Sequence, residues 1–110
     1  MIGKRYRYGG ASPSGFDCSG LVYYSFREAG IHVPRTTTQQ YHQSKRIKLS
    51  QLQPGDLIFF KISREKLSHV GIYAGEGRFI HAPSGGKRVA YASLDNEYWE
   101  TRVIGAGRFQ

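Results

Sequence analysis

Three side chains define the chemistry open to this sequence: Cys18, the only cysteine in 110 residues, and the two histidines His69 and His81. Cys18 lies in Asp17-Cys18-Ser19-Gly20, His69 in Ser68-His69-Val70-Gly71-Ile72-Tyr73, and His81 in Arg78-Phe79-Ile80-His81-Ala82-Pro83. A thiol attacks a carbonyl once an imidazole has taken its proton. That imidazole later returns the proton to the leaving amine, and a third polar group fixes its tautomer and orientation. With Cys18 as nucleophile, His69 as base and His81 as orienter, amide hydrolysis needs no metal.

Each of these residues must be held by a recognisable element. Leu21, Val22, Ser25, Phe26 and Ala29 recur at three-to-four-residue spacing, with Asp17 as N-cap and Gly30 as stop, which predicts a helix over 18–29. Cys18 then falls in the first turn, where unpaired N–H groups and the positive end of the helix dipole favour a thiolate and can face a developing oxyanion. Pairing with an imidazolium lowers such a cysteine to roughly pKa 3.5–7.5. His69, Gly71 and Tyr73 alternate with Val70, Ile72 and Ala74, and Gly75-Glu76-Gly77 separates this run from the one holding His81, so the two read as a hairpin. Further strands are expected near 57–62, 87–92 and 102–109, beside those at 69–74 and 78–82, with a short helix over 36–43. Helices followed by a meander predict an α+β domain, its cysteine-bearing helix packed on an antiparallel sheet. Taken singly, each residue has a plainer reading, a buried structural cysteine and half-buried strand histidines. A zinc site from Cys18, His69, His81 and His42 is disfavoured by wide spacing and the lack of a Cys-x-x-Cys pair. His32 and His42 read as surface residues.

The motifs, in their order, resemble the NlpC-type family of bacterial cell-wall cysteine peptidases, which have a compact papain-like fold. The resemblance runs nearly end to end. It takes in Tyr6-Arg7-Tyr8-Gly9-Gly10, Phe16-Asp17-Cys18-Ser19-Gly20-Leu21-Val22, Pro34-Arg35-Thr36-Thr37 with Gln39-Gln40, Pro54-Gly55-Asp56-Leu57-Ile58-Phe59-Phe60, and the two histidine segments. It implies Cys18 as nucleophile, His69 as base, His81 as the histidine variant of the third residue, and Tyr6 lining the site and assisting the oxyanion. Asp17 and Ser19 match positions that receive the free amine of a stem peptide. The implied reaction is cleavage of a peptidoglycan stem-peptide amide, at the γ-D-glutamyl–diamino acid bond or at a cross-link, with no cofactor. The same machinery also serves amidases and acyltransferases, and a non-catalytic wall-binding module of the same fold is a further alternative. Arg5 stands where the family often has proline, and Lys61 to Leu67 lacks a glycine frequent there. The start at Met1 falls about where the family's opening helix ends, so the chain reads as one domain, 1–110, lacking that opening segment.

Composition agrees with one small domain: 39% hydrophobic residues can bury a single core. No apolar run reaches the length of a membrane span or a signal-peptide core. The net charge of +8 comes from scattered residues such as Lys4, Arg5, Lys45, Arg46, Lys87 and Arg88, without the interleaved stacking aromatics of a nucleic-acid site. No nucleic-acid partner is expected; attraction to an anionic wall or membrane surface accounts for the charge. Cell-wall substrates place the protein in the envelope, whether periplasmic, lipoprotein or secreted.

Overall fold

The computed structural model describes residues 11–12, 15–63, 66–82 and 89–109. Two short strands, β1 (Ala11–Ser12) and β2 (Gly15–Phe16), pair with each other and lead into helix α1 (Cys18–Glu28). The Asp17 carboxylate accepts from the Gly20 N–H at 2.6 Å and so caps α1. At the other end Gly30 turns left-handed at φ +80°, and Ile31 and Gly30 donate back to the carbonyls of Phe26 and Arg27, which closes the last orphan carbonyls. Both ends of the helix are therefore set by local chemistry.

Helix α2 (Thr37–Gln43) follows, capped by Thr36, then β3 (Lys45–Ile47), a 3₁₀ turn, β4 (Leu57–Ser63), β5 (Lys66–Gly75), β6 (Arg78–His81), β7 (Ala90–Ser93), the short helix α3 (Glu97–Glu100) and β8 (Val103–Arg108). The sheet is antiparallel in the order β3-β8-β4-β5-β6-β7. The α+β architecture expected from the sequence is the one found. The structure adds β3, whose three residues are too few and too charged to show a period, and α3, a single turn. It moves the strand expected at 87–92 to Ala90–Ser93, with 87 and 88 outside the described residues, and begins β5 at Lys66 rather than at His69.

Alternation along β4 divides the core. Leu57 and Phe59 face α1 and pack with Val22, Phe26, Val33 and Val70, while Ile58 and Phe60 face away and pack with Phe79. Leu21 and Val22 are wholly buried, and each such side chain contributes about 1.5–3 kcal/mol of transfer free energy, so α1 is firmly seated on the sheet. Beyond the core, Asp56 at the start of β4 accepts from Arg108 Nε at 2.7 Å and from its second guanidinium nitrogen at 2.8 Å, tying β4 to the end of β8. Burial of the Asp56 carboxyl works to raise its pKa, but the Arg108 and Gln53 donors outweigh it and hold the value below normal. A depressed carboxyl stabilises the fold above its unfolded pKa, and that stability is lost as pH falls through the folded value. Asp56→Asn is accordingly expected to lower the urea midpoint at neutral pH, with the gap to wild type closing in acid. A gap independent of pH would contradict the ion pair's role.

Candidate active site

The start of α1 carries Cys18 to the middle of β5. Tyr73 directs its N–H and carbonyl at Asp56 and Gly55 on the β4 side, so by alternation Ser68 and Val70 direct theirs to the other side. There β6 has already ended at His81, and the Cys18 sulfur occupies the free edge. Its thiol reaches the Ser68 carbonyl at 3.8 Å and Thr37 Oγ1 at 3.6 Å, and the Val70 backbone lies near enough to work its pKa downward. Ser68 and Val70 flank His69, so the sulfur lies against the backbone on either side of that residue.

His69 is 5% exposed and His81 4%. Their rings stand on the face of the sheet away from α1, perpendicular to each other, with His69 Nε2 2.9 Å from His81 Nδ1. Paired in this way, His69 keeps only Nδ1 for a further partner. Three aromatic residues enclose the pair. Phe60 lies against His69 with ring centroids 5.9 Å apart, Phe79 against His81 at 5.0 Å, and Trp99 of α3 stacks on His69 at 5.4 Å and meets His81 edge-on at 4.9 Å. Gly71 makes room for this packing: a β-carbon there would come within 2.6 Å of the Phe79 ring and 3.2 Å of the Ile80 carbonyl. Trp99 carries no signal in the sequence, because a four-residue helix such as α3 shows no period.

Electrostatics differ from the sequence-based expectation. Burial pushes the Cys18 thiol up from its ordinary value. Hydrogen bonds from Thr37 and from backbone N–H groups work against that rise without overcoming it, while the Asp17 charge adds to it. Burial drives His69 down to about 3, helped by His81, and drives His81 down to about 4. Desolvation outweighs the helix terminus, so the thiolate expected at rest is disfavoured and each group alone prefers its neutral form. The sulfur and the His69 ring share no hydrogen bond; the thiol's partners are the Ser68 carbonyl and Thr37 Oγ1.

Around Cys18, Arg35 gathers the two polar neighbours that the family resemblance assigns to substrate. Its guanidinium donates to Ser19 Oγ at 2.9 Å and pairs with the Asp17 carboxylate at 3.1 Å. An amine reaching Asp17 and Ser19 must therefore displace or share Arg35, a partner that sequence spacing did not suggest. Tyr6 lies outside the described residues, and His42 sits on α2 with its ring against Tyr41. Among the described residues no group of three His, Cys, Asp or Glu side chains converges as a metal site.

A cysteine at a helix tip, set against a histidine pair on an antiparallel sheet, defines a papain-like domain. A sequence model of the NlpC/P60 family matches residues 3–108, and the chain belongs to that family. Its sequence is 46% identical over 113 residues to murein DD-endopeptidase MepH of Escherichia coli (strain K12), covering 98% of this chain and 42% of that protein. It is 43% identical over 111 residues to gamma-DL-glutamyl hydrolase of Bacillus subtilis (strain 168), covering 98% of this chain and 27% of that protein. The fold superposes on an NlpC/P60 family protein from Bacillus cereus ATCC 10987 with a TM-score of 0.91 at 34% identity, over 99% of this chain and 36% of that one. The NlpC/p60 domain of the peptidoglycan hydrolase SagA matches with a TM-score of 0.83 at 35% identity, over 97% of this chain and 88% of that one. The chain thus spans less than half the length of the two sequence relatives.

Proposed function

We propose that this chain is a cysteine endopeptidase domain that hydrolyses amide bonds in peptidoglycan stem peptides, with Cys18 as nucleophile, His69 as general base and His81 as orienter. The observation that carries the reading is the 2.9 Å His69–His81 contact beside a sulfur bracketed by Ser68 and Val70. For Nδ1 to accept the thiol proton, Nε2 of His69 must keep its own, donating it to His81 Nδ1. Cys18 Sγ then bonds to the substrate carbonyl carbon and the oxygen becomes an oxyanion, met by N–H groups at the start of α1. Collapse of this intermediate breaks the C–N bond, and the His69 proton leaves with the amine. Water, deprotonated by His69, next attacks the thioester; the acid departs and the thiol is regenerated.

The relatives support peptidoglycan as substrate, since the Escherichia coli protein is named a murein DD-endopeptidase and the SagA domain comes from a peptidoglycan hydrolase, while the Bacillus subtilis relative is named a gamma-DL-glutamyl hydrolase. These names divide between bond types, and the proposal commits to stem-peptide amides as the class. An envelope location follows from such a substrate, and the +8 net charge suits an anionic wall. Incubation with defined tripeptide, tetrapeptide and cross-linked muropeptides, with products identified by mass, tests the reading. Release of one amine and one acid from a stem peptide is expected; intact muropeptides, or cleavage of glycan alone, would overturn it. His81→Ala leaves the His69 N–H buried without an acceptor, a penalty of about 1–3 kcal/mol, so turnover is expected to fall roughly tenfold to a hundredfold while Cys18 remains alkylatable.

A further inference from the structure

Resting on the proposed reading, in which His69 becomes an imidazolium during turnover, the aromatic enclosure raises a specific problem. His81 is a neutral partner: it accepts the Nε2 proton of His69 but brings no negative charge to balance the new positive one, and the enclosure excludes water. Among the described residues the titratable groups near His69 are Cys18 from α1 and His81 from β6, since Phe60 of β4, Phe79 of β6 and Trp99 of α3 carry none. Asp17 acts on Cys18 and is itself paired with Arg35. Among the described residues, the rings are therefore the source of stabilisation for the cation other than the thiolate.

Trp99 has the required geometry. Its ring lies nearly parallel to that of His69, at 25°, with centroids 5.4 Å apart, inside the roughly 6 Å range over which an indole face attracts a cation. Phe60 is tilted at 47° and farther away at 5.9 Å, and Trp99 presents its edge geometry, 81°, to His81. The indole is itself fixed by Phe60 at 5.0 Å and Phe79 at 5.4 Å. The geometry points to Trp99 as a positioning residue whose π face stabilises the His69 imidazolium and holds its ring plane, supplying what a neutral third residue cannot. Indole attracts a cation more strongly than the other aromatic rings do.

Trp99 is the chain's only tryptophan, so biosynthetic incorporation of 5-fluoro-, difluoro- and tetrafluorotryptophan alters this ring alone, weakening its π face stepwise at nearly constant shape. The probe is the rate of Cys18 alkylation by iodoacetamide as a function of pH, which reports the thiolate. Progressive fluorination is expected to lower the thiolate fraction at neutral pH in graded steps, by between about twofold and thirtyfold in all, with kcat falling in parallel and folding unchanged by circular dichroism. The same series in His69→Ala should be flat. If His69→Ala shifts the alkylation profile and fluorination does not, Trp99 is packing only and this inference fails while the proposed function stands. If His69→Ala leaves the profile unmoved, the sulfur and the imidazole are uncoupled, and both fall together.

Discussion

Cys18→Ala is expected to reduce stem-peptide hydrolysis by at least about 10⁴-fold while leaving the fold intact. The side chain removed is small, and the elements around it are held independently: Asp17 caps α1, the Gly30 turn closes it, and Leu21 and Val22 anchor it. What disappears is the atom that, in the proposed mechanism, bonds to the carbonyl carbon, and no other described residue offers a thiol. Circular dichroism and a urea midpoint close to wild type, together with absent product by mass, are the expected results. Turnover within tenfold of wild type would remove Cys18 from the chemistry.

The second large effect is expected at His69. His69→Ala removes the proposed proton acceptor, a contribution of about 10²–10⁴-fold where a positioned side chain handles the proton. The loss is expected at the upper end or beyond, because the thiol here is pushed up by burial and cannot ionise appreciably unaided. The same burial holds His69 well below an ordinary histidine, at about 3, so in the wild type protonation of the free base does not limit activity at mildly acidic pH. In His69→Ala the residual rate should climb with pH up to and beyond the ordinary cysteine range, since hydroxide must ionise the thiol directly. A residual rate flat across that range would argue for a different base. The steady-state rate at several pH values, for both proteins on one muropeptide, decides between them.

Much of this architecture was legible because it is local. Alternation through His69 and Tyr73, the Gly75-Glu76-Gly77 turn and the capped stretch after Asp17 each follow from short-range rules, and the antiparallel sheet with α1 upon it followed from them. What escaped depends on contacts between distant segments. Trp99 is 30 residues beyond His69 in the chain, on a single helical turn, and nothing in its neighbourhood signals that it stacks on an imidazole. Arg35 is joined to Asp17 and Ser19 only by the path of the loop before α2. The resting protonation states escaped for a related reason: a helix-terminus effect can be read from spacing, whereas desolvation depends on the whole enclosure. Phe60, Phe79 and Trp99 close around the histidine pair and its burial depresses both imidazoles, while burial of the sulfur itself outweighs the helix terminus.

The central claim is covalent: the substrate's acyl group passes through the Cys18 sulfur, activated by the imidazole beside it. Rapid acid quenching of the wild-type protein during turnover of a stem peptide, followed by intact-mass measurement and peptide mapping, reads this directly. The account predicts a transient mass increase equal to the acyl half of the substrate, located on Cys18 and absent from both Cys18→Ala and His69→Ala. Full turnover with an unmodified Cys18 at every quench time, or an adduct mapped to another side chain, would contradict it.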